Sequence, residues 1–204
     1  MKHASSRRLY DYWSLLRGHR SAPDRSEIDP AHIRDILPDT FILEVTDRAE
    51  YIYRLAGTRI CSSYCRELKE RSFLSLWRDA DIESLRRMLD GVRSDGAVAV
   101  IGVRGRNERG QETSIEITLL PLSYGGKSHN RILGSHANLD APYWLGIYPV
   151  VSHEITSLRL IWPDETPSHL RQRSQEELDA IPALLPIMPQ ARRGHLLVYE
   201  GGKN

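Results

Sequence analysis

Cysteine is the first scarcity: only Cys61 and Cys65 occur in 204 residues, which excludes a disulfide framework. Four positions apart, the two would share a helix face. No second Cys or His pair with ligand spacing completes a metal site, so no metal is expected and both thiols read as buried and structural. Lysine is nearly absent as well, occurring only at Lys2, Lys69, Lys127 and Lys203. Arginine therefore carries almost all the positive charge, and the net charge is only +1. A dedicated DNA binder shows a basic excess that is missing here, so no DNA partner is expected. Arg7–Arg8, Arg86–Arg87 and Arg192–Arg193 read as solvated faces or ion pairs. No apolar run reaches the ~18 residues that span a bilayer, which argues against membrane insertion. The polar, basic start over 1–8 has no apolar core behind it and is no secretory signal. A cytoplasmic location is the expectation.

What is present suits a folded chain. Hydrophobic residues make up 40% and charged residues 27%, an ordinary globular balance. This length suggests one domain with extensions. Leu9, Tyr12, Trp13 and Leu16 fall on one face of a first helix that Ser5 or Ser6 can cap and Gly18 ends. A helix this short is marginal alone, so its aromatic stripe must dock on the domain's own sheet or on a second copy. Asp29 and Pro30 open a short helix that Pro38 stops.

Phe41, Leu43 and Val45, then Tyr51, Tyr53 and Leu55, alternate with other residues and read as a strand hairpin. Short helical stretches follow, the first capped by Thr58. A longer helix over 81–91 has Ile82, Leu85, Met88 and Leu89 on one side and Gly91 at its end. Three hairpin-linked strands come next, over 97–106, 113–120 and 131–139. Residues 155–162 offer a further strand, 163–174 a linker, 175–189 an irregular stretch and 195–199 a last short strand. Strands segregated from helices indicate an α+β fold with an antiparallel sheet. The expected division is an N-terminal helical segment over 1–38, a core over 39–140 and a C-terminal extension packed on it over 141–204.

This order of elements resembles the PAS fold. More narrowly, the chain is similar to stand-alone bacterial PAS proteins of a family formerly labelled as a domain of unknown function. The stretches that carry the resemblance are Tyr12-Trp13-x-x-Leu-Arg-Gly18, Pro23-x-Arg-x-x-Ile-Asp-Pro30, Ile36-Leu-Pro38, Tyr53-Arg-Leu-Ala-Gly-Thr-Arg-Ile-Cys61, Arg66-Glu-Leu68 and Phe73-x-x-Leu-Trp77. Tyr143-Trp-Leu-Gly146 and Arg193-Gly-His-Leu-x-Val-Tyr-Glu-Gly-Gly202 continue it. The family usually has Gly before Arg-Glu-Leu, where this chain has Cys65, and that change could alter the backbone. The resemblance implies a five-stranded antiparallel sheet with helices on one face, and a signalling or regulatory role. It implies no catalytic residues and no agreed ligand.

Specific chemistries find little support. The segment Ile60-Cys-Ser-Ser-Tyr-Cys-Arg66 lacks the Asn-Cys-Arg-Phe-Leu-Gln type of run that a flavin photosensor needs. The helix over 81–91 has no His for haem. Gly126-Lys127-Ser128 resembles the end of a phosphate loop, but Pro121 stands where its first Gly belongs and a strand follows. No Gly-x-Ser-x-Gly elbow occurs. Convergence of Glu44, Glu67 or Glu116 on a common site cannot be read from spacing. The cofactor is therefore unknown, and the chain reads as no enzyme.

The candidate ligand pocket is Tyr53, Leu55, Ile60, Phe73, Leu85, Met88, Leu89, Ile117, Leu119 and His136. The same residues could simply be core. Leu9, Tyr12, Trp13 and Leu16 are the candidate interface of a homodimer. The expected output is a separate signalling protein, with a small molecule as possible ligand. The rival reading is a small-molecule enzyme using the central cavity, which two polar groups within hydrogen-bond reach there would support. A third is a nucleic-acid binder using arginine-rich faces.

Overall fold

The structure is a computed structural model. It describes residues 1–162 except 47, 49 and 126, together with 191–193 and 196–198. Helix α1 (Ala4–Arg17) leads into short 3-10 turns at Arg25–Glu27, Pro30–Ile33 and Leu37–Asp39. Strands β1 (Thr40–Val45) and β2 (Tyr51–Ala56) follow, then α2 (Thr58–Ser63), a 3-10 turn at Phe73–Leu76 and α3 (Asp79–Asp95). The chain continues through β3 (Val98–Asn107), β4 (Glu112–Tyr124), β5 (Lys127–Asn138) and β6 (Val150–Ile161). These six strands form one antiparallel sheet in the order β2-β1-β5-β4-β3-β6. The sheet thus has six strands where five were expected. Its added edge strand, β6, starts at Val150, five residues before the expected 155.

The chain forms two compact units, Met1–Glu165 and Thr166–Asn204. Strand β6 pairs with β3 within the first unit. The second unit, Thr166–Asn204, holds the hairpin of β7 (Ala191–Arg193) and β8 (Leu196–Val198). The expected linker over 163–174 and irregular stretch over 175–189 lie outside the described residues. Among the described residues no helix is long and apolar enough to cross a membrane.

Period-two alternation sorts the strand residues onto two faces. Phe41, Leu43, Ile101, Ile117 and Ile132 point inward, to α2, α3 and the turn at Phe73–Leu76. Ile42, Val98, Leu120, Leu122 and Leu133 point the other way, to α1 and the early 3-10 turns. Leu9 and Trp13 are 0% exposed there. Trp13 also donates from Nε1 to the Pro121 carbonyl at 2.8 Å. Pro121 sits inside β4, not in a turn. It lies past the last residue paired with β3, Leu119, where a missing N–H is tolerated.

Three helix boundaries differ from expectation for local reasons. The His3 ring, not Ser5 or Ser6, caps α1 by accepting from the Ser5 N–H. Ser5 is turned inward instead and donates to Asp39 at 2.9 Å. Helix α3 runs through Gly91 to Asp95 and ends at Gly96, whose left-handed φ of 66° suits glycine. Continuing the helix seats Val92 in the inner cluster, a gain that outweighs the low helix propensity of Gly91. Gly57, and not Thr58, occupies the cap position of α2.

Candidate functional site: a buried histidine–tyrosine–histidine cluster

Three elements deliver one polar cluster to the inner face. Tyr64 closes the C-terminus of α2, and its backbone N–H bonds to Cys61. His136 projects from β5 opposite Ile117, and His153 projects from β6 opposite Gly105. The Tyr64 hydroxyl lies 3.0 Å from Nε2 of His136 and 3.0 Å from Nε2 of His153. All three side chains are buried. The Trp77 ring meets His153 edge-on at 5.0 Å between centroids.

A phenol has one proton to donate. Tyr64 therefore donates to one imidazole and accepts the Nε2–H of the other. The two rings must hold opposite tautomers. Neither Nδ1 has a hydrogen-bond partner, and Trp77 Nε1 has none either. One buried N–H and one buried lone pair are thus left unsatisfied on the imidazoles, which is rare and costly in a folded core. Burial lowers the pKa of His136 to about 4. It lowers that of His153, with His136 adding to the effect, to about 3. Burial also raises the Tyr64 phenol well above its ordinary value. The cluster is neutral at pH 7, so it stores no charge and only an orientation of hydrogen bonds.

Replacing Tyr64 by Phe strands both Nε2 atoms while preserving the ring. A loss of about 1–3 kcal/mol in urea denaturation is the expected result. An unchanged midpoint would mean that the three groups are not bonded in solution.

Tyr53, Ile60, Phe73, Leu85, Met88, Leu89, Ile117 and Leu119 all lie in the inner cluster. Their rings touch, with Tyr53–Phe73 centroids at 5.8 Å and Phe73–Trp77 at 5.7 Å. His136 joins them, but Leu55 does not. It is 47% exposed because β1 and β2 change register between Ile42 and Leu43. Arg54 is the extra residue of that bulge, so Leu55 pairs with Ile42 and shares its outward face, while Ala56 points inward. The interface candidates Leu9 and Trp13 are covered by the chain's own sheet, with Tyr12 and Leu16 half-buried beside them. As a free face for a partner, that stripe is already occupied.

Sequence reasoning missed Tyr64, Trp77 and His153 as site residues. Beginning the strand after the core hairpins at 155 leaves His153 in a loop. Starting the strand at Val150 is not enough, because simple alternation from that inward residue would turn His153 outward; Val151 is the extra residue of a bulge opposite Arg106 and Asn107, and it brings His153 inward.

The cysteines differ from each other. Cys61 is buried, while Cys65 is exposed and not the buried thiol expected. Among the described residues no group of three metal-ligating side chains forms. Cys65 has a φ of 50°, so the backbone keeps the left-handed turn that glycine favours despite the substitution. Cys65→Gly should raise stability by about 1 kcal/mol in urea denaturation, since it removes the steric cost of that conformation. A loss of stability would show that Cys65 makes compensating contacts.

A family model described as a PAS domain matches residues 1–137. Several solved structures are similar at low identity. The Rhodobacter sphaeroides LOV protein is 12% identical over 57% of this chain and 71% of that one, at a TM-score of 0.42. The PAS domain of an HTR-like protein from Haloarcula marismortui is 17% identical over 64% and 91%, at 0.38. The PAS domain of a protein from Colwellia psychrerythraea is 16% identical over 54% and 98%, at 0.39. No functionally curated protein matches this chain.

Proposed function

The chain belongs to the PAS-domain family of sensory domains, and on that premise we propose that it is a non-catalytic regulator whose ligand acts on the Tyr64–His136–His153 cluster. The carrying observation is that cluster's unsatisfied polarity. A core selected for stability alone would be apolar at these positions. Here the hydroxyl of Tyr64 has two alternative bonding patterns, and each fixes which imidazole carries its proton on Nδ1. A small ligand that offers a donor or an acceptor to one Nδ1 selects one pattern. Differential binding of this kind is what a signal requires.

The response would travel to α1. Ser135, next to His136, donates to Ser6 of α1 at 3.2 Å. Asp39 accepts from Ser5 of α1 and, at 2.5 Å, from Arg59 of α2. Changes at α2 and β5 would thereby alter how α1 sits, and a separate protein would read that surface in the cytoplasm. A homodimer, if formed, would use a face other than Leu9 and Trp13.

The experiment is native mass spectrometry of freshly purified protein, which reports bound small molecules and subunit number together. A non-covalent adduct that disappears in Tyr64→Phe is the expected result. Bare protein that shows no thermal shift with any member of a polar small-molecule library would overturn the proposal.

One observation favours the enzyme alternative: the cluster places polar groups within hydrogen-bond reach inside the core. Their chemistry runs against it. A general base works best with a pKa near ambient pH, and burial moves both imidazoles well below 7 and the phenol further above it.

A further inference from the structure

Above the cluster, a cleft of about 540 Å³ opens to solvent, and Tyr64 forms part of its wall. Arg66 and Arg71 line it from the loop after α2, and Glu108 lines it from the β3–β4 hairpin. All three side chains are exposed. None of them makes an ion pair among the described residues, where Arg71 bonds only to the Glu67 carbonyl, at 3.0 Å. Many other arginines are paired: Arg20 with Glu27, Arg104 and Arg106 with Glu112, and Arg131 with Glu44. Leu76 and Val151 supply apolar wall in the same cleft.

Two guanidiniums with no carboxylate partner suit a carboxylate, which they bind through paired N–H donors. A free carboxylate in the same cleft suits an ammonium. Apolar wall beside them suits a hydrocarbon body. We infer that this cleft binds a zwitterion with an apolar side chain, either a free α-amino acid such as leucine or a short peptide of such residues. Arg66 and Arg71 take the α-carboxylate, Glu108 takes the α-ammonium, and the side chain lies on Leu76 and Val151. The volume falls within the range of small-molecule sites. Because Tyr64 is shared by the cleft and the buried cluster, an occupant here presses on the residue whose hydroxyl orients both histidines. This assignment deepens the sensory proposal and rests on it for its signalling meaning.

Isothermal titration calorimetry on the full chain tests the site, with L-leucine, the dipeptide Leu-Leu, N-acetyl-leucine and leucinamide as probes. L-leucine or Leu-Leu should bind, and which of them binds tighter identifies the source. N-acetyl-leucine lacks the ammonium and leucinamide lacks the carboxylate, so each should bind at least tenfold more weakly. The double variant Arg66→Gln/Arg71→Gln, and separately Glu108→Gln, should weaken the zwitterion at least tenfold with unchanged circular dichroism. No heat from either zwitterion, or equal binding of the blocked probes, would overturn the site. Hydrogen exchange at α1 with the bound probe separates the two proposals. Binding without a change in α1 protection leaves the site standing and sinks the signalling route.

Discussion

Acidification from pH 6.5 towards 4.5 should destabilise this protein steeply. Both imidazoles have folded pKa values far below the ordinary 6.5, at about 4 for His136 and about 3 for His153, chiefly because burial penalises the charged ring. In the unfolded chain they titrate near 6.5. Between those values the unfolded state binds protons that the folded state refuses, so stability falls as pH falls. The contribution is complete above pH 6.5 and is lost on descent towards the folded pKa values. Each unit of pH in that window removes about 1.4 kcal/mol per histidine, so a loss on the order of 3–5 kcal/mol by pH 4.5 is expected. That is a large share of a typical domain's stability of about 5–15 kcal/mol. Asp39 opposes the trend only weakly, since its charge acts to raise the His136 pKa while burial dominates. Carboxylates whose pKa is held down, such as Glu27, Asp24 and Glu112, add their loss below this window. Urea midpoints measured at half-unit intervals will show the slope. His136→Gln/His153→Gln should flatten it between pH 6.5 and 4.5. A wild-type midpoint independent of pH in that range would mean that the rings are solvated.

Trp13→Ala should cost about 3–5 kcal/mol, the range for removing a buried tryptophan. The indole is wholly buried between α1 and the outward face of the sheet. Its Nε1 supplies the hydrogen bond to the Pro121 carbonyl, and the Arg17 guanidinium lies over the ring at 5.5 Å from its centroid. Truncation therefore opens a cavity and strands an acceptor in one step. Deleting residues 1–20 should do more, by uncovering Leu120, Leu122 and Leu133. The measurement is the urea midpoint with dye binding to exposed apolar surface. Should the truncated chain keep its midpoint while a dimer dissociates, α1 would belong to an intermolecular interface and not to its own sheet.

Much of this fold was legible because its signals are short-range. The alternation Ile115, Ile117, Leu119 marks a strand and its buried side in one stretch of chain, and the stripe Leu9, Trp13 marks a helix that must be covered. What covers the stripe is not written in that stretch, and this is why a homodimer interface is the sequence-based expectation for residues that the chain's own sheet covers. Leu55 shows the other kind of failure. Its alternation with Tyr51 and Tyr53 is regular, yet one extra residue, Arg54, turns it outward. A bulge depends on the pairing strand, so local periodicity does not reveal it. Gly91 likewise reads as a helix end until Val92 finds its place in the core.

Element type, the split of each strand into two faces and the absence of known cofactor motifs come from neighbours in the chain, whose spacing sets which side chains share a face. The site does not arise that way. Tyr64 meets His136 across 72 positions and His153 across 89, and the sixth strand and its register had to form before those three atoms could meet. Register and sheet order depend on every strand packing at once, and so the polar cluster exists only in the folded chain.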